Sequence, residues 1–153
     1  DRRAWHKVSD CILHIKDLTD IHKRLIAGIV GAQAASKFTA FVSNNKTVTG
    51  KDVLLHFAKS KTLLAKYQTH QLSAVNESIF RFLETNELKS REEESAKKNI
   101  NAYTSLLLDS GQREAMAHFS SFFEKGTYPK AIMFIMTKAP EVYQEIMKFI
   151  SGI

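Results

Sequence analysis

The chain has a single cysteine, Cys11, in 153 residues, so an internal disulfide framework is excluded and packing must stabilise the fold. It has two prolines and six glycines, and neither type occurs between Gly50 and Gly111. Such a stretch favours helices. No apolar run approaches the roughly 20 residues that cross a bilayer, so we expect any membrane contact to be peripheral.

The motifs of common catalytic and metal sites are also missing. There is no Gly-rich phosphate loop, HExxH or CxxC. His6, Asp10 and His14 fall four residues apart, a spacing that suits a metal on a helix, but a solvated polar face explains them better. Cys11 lies on an apolar stripe, where packing is its usual role. We therefore expect no catalytic residue, no metal and no cofactor, and a protein that is not an enzyme.

Positive charge is concentrated in the first half of the chain. Residues 1–70 hold 12 Lys and Arg against 5 Asp and Glu, whereas residues 71–153 hold 10 against 11. A cationic surface attracts anionic partners such as phospholipid headgroups or acidic glycans. No motif of a nucleic-acid reader accompanies the lysines, so we expect no nucleic-acid partner. The cations that we expect to meet an anionic surface are Lys37, Lys46, Lys51, Lys59, Lys61 and Lys66.

Apolar residues recur at helical spacing along the chain, and no segment has the alternation of a strand. The spacing predicts one long first helix over residues 11–42. Glycine and alanine crowd its middle around Gly28, which would let another helix approach closely. After a capping box from Thr49 to Asp52, a second long helix is predicted through Leu83.

Shorter helices are predicted in the second half. A third runs from a capping box at Ser90 to Leu107, a fourth ends before Gly126, and Pro129 and Pro140 open the fifth and sixth. The sequence therefore predicts an all-α fold. We expect one domain over residues 1–153, a helical bundle of two long and several short helices.

Residues 122–136 read FFEKGTYPKAIMFIM, with six consecutive apolar residues at the end. A core helix usually has an apolar stripe because its other side faces water. This run is therefore enclosed on all sides or meets something apolar outside the chain. We expect Ile132 and Ile135 to be core residues. The candidates for an apolar surface that contacts a membrane are Met133, Phe134, Met136, Phe149, Ile150 and Ile153.

Two segments match the N-glycosylation sequon, one at Asn45 and one at Asn76. A pattern this short often arises by chance.

Five segments resemble the abalone sperm lysin family, in the same order along the chain. They are RRAWHKV at 2–8, LIAG at 25–28, KTVT at 46–49, YQTH at 67–70 and MAHFSSFFEKGTYPKAIMFIM at 116–136. The resemblance implies a secreted, all-helical protein of the sperm acrosomal vesicle that acts without catalysis at the egg surface. Within the family, lysin opens the egg envelope stoichiometrically, and a divergent fusagenic paralogue is associated with fusion of the gamete membranes.

The chain departs from lysin in one segment. Residues 54–80 read LLHFAKSKTLLAKYQTHQLSAVNESIF, with few cations, whereas lysin is rich in arginine there. This departure and the apolar C-terminal end resemble the fusagenic paralogue. We therefore expect membrane binding and sperm–egg membrane fusion through a cationic, amphipathic surface.

The expected partner is the egg plasma membrane or its phospholipids, while an egg-coat glycoprotein and a homodimer are left open. Three rival interpretations also stay open. They are an envelope-dissolving lysin that acts on egg-coat glycoprotein, a helical protein-binding module, and a carrier that encloses an apolar ligand.

Overall fold

The computed structural model describes all residues except Lys16, Asn45, Lys46 and Ile153, and it describes only the backbone of residues 43 and 44. Every regular element in this described part is an α-helix and none is a strand, which confirms the predicted all-α class. The chain groups into two compact units, Asp1–Thr47 and Val48–Ile153. Single-domain organisation stays a prediction, and each unit is described by itself.

The described residues of the N-terminal unit form three helices. Helix α1 spans Arg2–Ile12, α2 spans Asp20–Val30 and α3 spans Ala32–Asn44. Helix α2 packs against both α1 and α3. A single residue, Gly31, joins α2 to α3.

The core of the N-terminal unit is small. Among its described residues, Val8, Ile26 and Ala35 are the buried apolar side chains, and half-buried neighbours pack around them. The ring of Trp5 packs against that of Phe38, with 5.3 Å between the centroids. This unit therefore removes few apolar side chains fully from water.

The prediction of one long helix over residues 11–42 is wrong. Helix α1 ends at Ile12, and α2 begins after Thr19, whose backbone N–H donates to Nδ1 of His22 at 3.0 Å. A second break follows at Gly31, where φ is +90°. The first break contains neither glycine nor proline, and apolar residues keep their helical spacing across it. The sequence therefore predicted an unbroken helix there.

The C-terminal unit contains six helices in its described residues. They are α4 (Gly50–Leu64), α5 (Thr69–Thr85), α6 (Ser90–Asp109), α7 (Arg113–Lys125), α8 (Pro129–Lys138) and α9 (Pro140–Ser151). The last four confirm the predicted third to sixth helices. Gly126 ends α7 in the left-handed conformation, with φ 65°. The cap of α6 lies one residue earlier than predicted, because the Lys89 N–H donates to Oε1 of Glu92 at 3.2 Å.

The prediction of a continuous second long helix is also wrong. The capping box is confirmed, since Thr49 N–H donates to the Asp52 carboxylate at 3.0 Å and Asp52 N–H donates to Oγ1 of Thr49 at 3.2 Å. However, α4 kinks at His56 and ends at Leu64. Helix α5 then starts anew after Gln68, whose N–H donates to Oε1 of Gln71 at 2.9 Å.

Helices α5 and α6 form the centre of the C-terminal unit. Helices α4, α7 and α8 each pack against both of them, and α9 packs against α6, α7 and α8. On α5, Oγ of Ser78 accepts from the N–H of Gly50 in α4 at 2.7 Å, and Glu84 accepts from the N–H of Ala131 in α8 at 2.9 Å. These two α5 residues point about 120° apart around the helix axis. Helices α4 and α8 therefore lie on different sides of α5.

One polar group lies inside this core. The side chain of Asn76 is fully buried, accepts from the Tyr103 hydroxyl at 2.6 Å and donates to the carbonyl oxygen of Ala115 at 2.8 Å. Burial raises the pKa of Tyr103 above its usual range, which keeps this hydroxyl protonated as the donor. A glycan on Asn76 would displace the core and break both of these hydrogen bonds. The other sequon, at Asn45, lies outside the described residues.

Candidate membrane-contacting surfaces

The apolar run at 131–136 forms most of α8 and has two different faces. Ala131 and Ile135 are fully buried, which confirms Ile135 as a core residue, and Ile132 is half-buried against the same core. On the other face, Met133 is 59 % exposed and Met136 is also exposed. The run is therefore not enclosed on all sides, and its methionines face solvent.

Polar contacts with α5 hold the start of α8 in place. Arg81 donates through Nε to the Tyr128 hydroxyl at 3.3 Å and through Nη2 to Glu77 at 2.8 Å. The hydrogen bond to Tyr128 and the negative charge of Glu77 raise the pKa of Arg81 above its usual value. At the other end, Lys138 pairs with Glu93 of α6 at 3.6 Å. Met133 and Met136 are thus presented from an anchored helix.

The remaining apolar candidates differ in accessibility. Phe134 and Phe149 are half-buried and pack against the core, and the guanidinium carbon of Arg113 lies 5.6 Å from the centroid of the Phe149 ring. Ile150 is exposed. Ile153 lies outside the described residues. Of the five candidates that the structure describes, Met133, Met136 and Ile150 are the exposed ones.

The predicted cations on and just after α4 are exposed, but they do not surround these residues. Lys51, Lys59 and Lys61 lie on α4, and Lys66 lies in the turn after it. Helix α4 is on a different side of α5 from α8, so these lysines are not brought together with Met133. Lys37 is exposed on α3 of the N-terminal unit, and Lys46 lies outside the described residues.

Among the residues that the structure describes, the most exposed large apolar side chains lie instead in the N-terminal unit. Ile21 is 75 % exposed, Leu13 is 70 % and Phe41 is 64 %, and Leu25 is exposed as well. Ile21 and Leu25 are four residues apart and share one face of α2. Ile21 lies near the start of α2 and Phe41 near the end of α3.

These residues were missed because α2, α3 and the break before α2 were predicted as one helix. Leu25 and Phe41 fit the periodic apolar stripe of that long helix, so their spacing did not indicate exposure. Leu13 and Ile21 fall off that stripe, and two large apolar residues on a polar face are the signal that could have revealed the exposed surface. Cys11, also expected to pack, is exposed.

The same unit is the more cationic of the two. Residues 1–47 hold eight Lys and Arg against four Asp and no Glu, a net charge of +4, whereas residues 48–153 hold fourteen against twelve. Lys23, Arg24 and Lys37 are exposed on α2 and α3, the helices that carry Ile21, Leu25 and Phe41. Apolar and cationic side chains therefore share the surface of this pair of helices.

No group of three His, Cys, Asp or Glu side chains within the described part of the chain has the geometry to hold a metal ion. His14 lies beyond the end of α1. The expectation that it shares one helical face with His6 and Asp10 is therefore wrong. None of the described helices is both long and apolar enough to span a membrane.

No protein-family model, no curated protein and no solved structure matches this chain.

Proposed function

We propose that this chain is a non-enzymatic protein that binds anionic membranes through its N-terminal unit and promotes their fusion. The resemblance to the sperm proteins would place this activity at fertilisation, after release from the acrosomal vesicle, with the egg plasma membrane as partner. One observation carries the proposal. The three most exposed large apolar side chains, Ile21, Leu13 and Phe41, belong to the unit with the larger net positive charge.

Such a surface suits a lipid–water interface for two physical reasons. Each Lys or Arg close to an anionic leaflet contributes about 1 kcal/mol of attraction. Each apolar CH₂ group that leaves water for the acyl region contributes about 0.8 kcal/mol. Both terms are available on α2 and α3, where Arg24 and Lys37 are exposed beside the apolar residues.

The C-terminal unit supplies further apolar side chains to this proposal. Met133, Met136 and Ile150 are exposed there, and the first two lie on a helix that is anchored at both ends. Of the two lysines on α8, Lys138 is paired with Glu93, so we assign these apolar side chains to insertion and not to the first electrostatic contact.

The test uses vesicles of phosphatidylcholine, with and without phosphatidylserine, and measures cosedimentation and lipid mixing. The chain should bind and mix the anionic vesicles, and both activities should fall as salt rises, since charges are screened beyond about 8 Å at physiological ionic strength. The double variant Ile21→Ser, Phe41→Ser should lose most of its lipid mixing, because two exposed apolar anchors are removed without emptying the core.

The matched control is Ala40→Ser, an exposed position next to Phe41 that has no large side chain to insert. It should mix lipids as the unsubstituted chain does. Unchanged lipid mixing by the double variant would contradict the role of the N-terminal unit. Dissolution of isolated egg envelopes without any action on vesicles would favour the lysin interpretation instead, and copurified lipid with intact vesicles would favour a carrier.

A further inference from the structure

A half-open cavity of about 310 Å³ lies in the C-terminal unit, where the end of α6 and the start of α7 meet α9. Its lining combines apolar side chains, two cations and one carboxylate. The lining residues are Leu108, Arg113, Glu145, Lys148, Phe149 and Gly152. Neither the composition nor the apolar run pointed to this place, because its residues come from segments 30 or more residues apart.

Arg113 is the central cation of this cavity. Its guanidinium carbon lies 5.6 Å from the centroid of the Phe149 ring, a cation–π distance that orients the group. Among the described residues it has no carboxylate within ion-pair distance, so its hydrogen-bond donors are free to bind a ligand. A guanidinium presents a planar fork that matches two oxygens of a phosphate group.

Lys148 adds a second positive charge to the wall. Its ammonium lies 3.5 Å from the Glu145 carboxylate, but both side chains are largely exposed. Exposed pairs of this kind are weak, so an anionic ligand can compete with Glu145 for the ammonium. The lining keeps a net positive charge with one carboxylate counted against two cations.

The apolar part of the lining restricts the kind of anion. Leu108 is exposed at the rim, and Phe149 forms a half-buried wall. Ile150, the next residue along α9, is exposed too. A phosphate ester that carries an apolar chain would meet both kinds of surface, whereas a fully hydrated anion would leave the apolar wall unused.

We propose that this cavity binds the phosphate group of an anionic phospholipid, with Arg113 and Lys148 on the phosphate and Leu108 and Phe149 against the glycerol and acyl portion. The assignment to a lipid rests on the proposed function, and it adds to that function a specific headgroup site outside the N-terminal unit.

The experiment titrates the full chain with soluble short-chain phosphatidylserine, and separately with inorganic phosphate, while the amide NMR signals are followed. The Gly152 signal should shift because this residue lines the cavity. Arg113→Gln should weaken binding of the soluble lipid about tenfold, the effect of one charged hydrogen-bonding group. Arg91→Gln, the same change at an exposed arginine of α6 that does not line the cavity, should leave binding unchanged.

The outcomes separate this site from the proposed function. Equal losses in the Arg113 and Arg91 variants, or no shift at Gly152, would overturn the site even if the chain still binds vesicles. Inorganic phosphate bound as tightly as the soluble lipid would overturn the lipid assignment. Binding of soluble lipid that depends on Arg113, in a chain that neither binds nor mixes vesicles, would support the site and overturn the membrane-fusion function.

Discussion

The two units of this chain distribute their apolar residues in opposite ways. In the described residues, the C-terminal unit buries 24 apolar side chains in one cluster, whereas the N-terminal unit buries three. Ile21, Leu13 and Phe41 of the N-terminal unit are nevertheless more exposed than any apolar side chain described in the C-terminal unit. Exposed apolar groups of this size commonly mark a surface that contacts a partner.

This contrast suggests a division of roles. The aromatic cluster around Phe80, which includes Phe119 at 5.0 Å and Phe122 at 4.5 Å between ring centroids, gives the C-terminal unit a rigid centre. The N-terminal unit has no comparable centre among its described residues. The free energy of unfolding of the N-terminal unit must therefore depend more strongly on partner contacts of its exposed residues than that of the C-terminal unit does.

The largest effect we expect is two separate unfolding transitions. Trp5, the sole tryptophan, lies in the N-terminal unit, and all four tyrosines lie in the C-terminal unit. In urea, tryptophan fluorescence should change before the tyrosine near-UV circular dichroism. Val8 and Ile26 contribute only about 1.5–3 kcal/mol each by burial. We expect the free energy of unfolding of the N-terminal unit to be a few kcal/mol lower than that of the C-terminal unit. With a denaturant slope of about 1–3 kcal/mol per M, this difference separates the two urea midpoints by about 1 M or more.

A control variant isolates the tyrosine signal. Trp5→Phe removes the fluorescence probe and should leave the tyrosine transition where it was. If both probes report one coincident transition, the chain unfolds as a single cooperative domain, as the sequence predicted, and the comparison between units would fail.

The second prediction contrasts two glycines, one in each unit. Gly50 begins α4 against α5, and a Cβ there would overlap the Ser78 backbone, so Gly50→Ala should destabilise the C-terminal unit by about 1–3 kcal/mol. Gly28 lies inside α2 with no atom near the position of a Cβ, so Gly28→Ala should stabilise the N-terminal unit by about 0.5–1 kcal/mol.

The tyrosine and tryptophan transitions measure these two changes independently. The sequence predicted close helix approach at Gly28, but the structure places that approach at Gly50. Equal destabilisation by both substitutions would mean that Gly28 is enclosed by packing, and the N-terminal unit would then be less open than described here.

Much of the C-terminal unit followed from sequence because its helix ends carry strong local signals. Gly126, Pro129 and Pro140 each fix a backbone conformation without help from distant residues. The breaks after Ile12 and after Leu64 have no such signal. They are made by polar side chains that cap the next helix, and a histidine or glutamine in that role is hard to tell from a residue on a solvated helix face.

The candidate surfaces were predicted less well, for a related reason. Periodicity identified which side of α8 is buried, since Ile135 is core and Met133 is exposed. It failed for Ile21, because a wrong helix boundary changes which residues share a face. The cavity at Arg113 depends on packing of α9 against α6 and α7, which spacing along the chain does not encode.

The smallest effect we expect is a pH dependence confined to the C-terminal unit. His118 lies on α7 with Nδ1 3.3 Å from the amide nitrogen of Asn76, and its ring meets Phe122 edge-on at 5.0 Å. Burial first, and then the charge of Lys125, lower the pKa of His118, while Glu77 on α5 acts in the opposite direction.

The sign follows from proton linkage. Between the lowered pKa of His118 in the folded chain and its unfolded value near 6.5, the unfolded chain binds more protons, so stability rises with pH. The His118 contribution is complete above about pH 6.5 and is lost as pH falls through the folded pKa.

His118→Gln keeps an acceptor for the Asn76 amide and removes the titrating group. The tyrosine-detected midpoint of this variant should therefore fall less on acidification than that of the unsubstituted chain, while the Trp5-detected midpoints of the two proteins should fall alike. An equal fall in the tyrosine-detected midpoints would assign the pH dependence to other groups, and the effect would stay small in any case because His118 is only partly shielded from water.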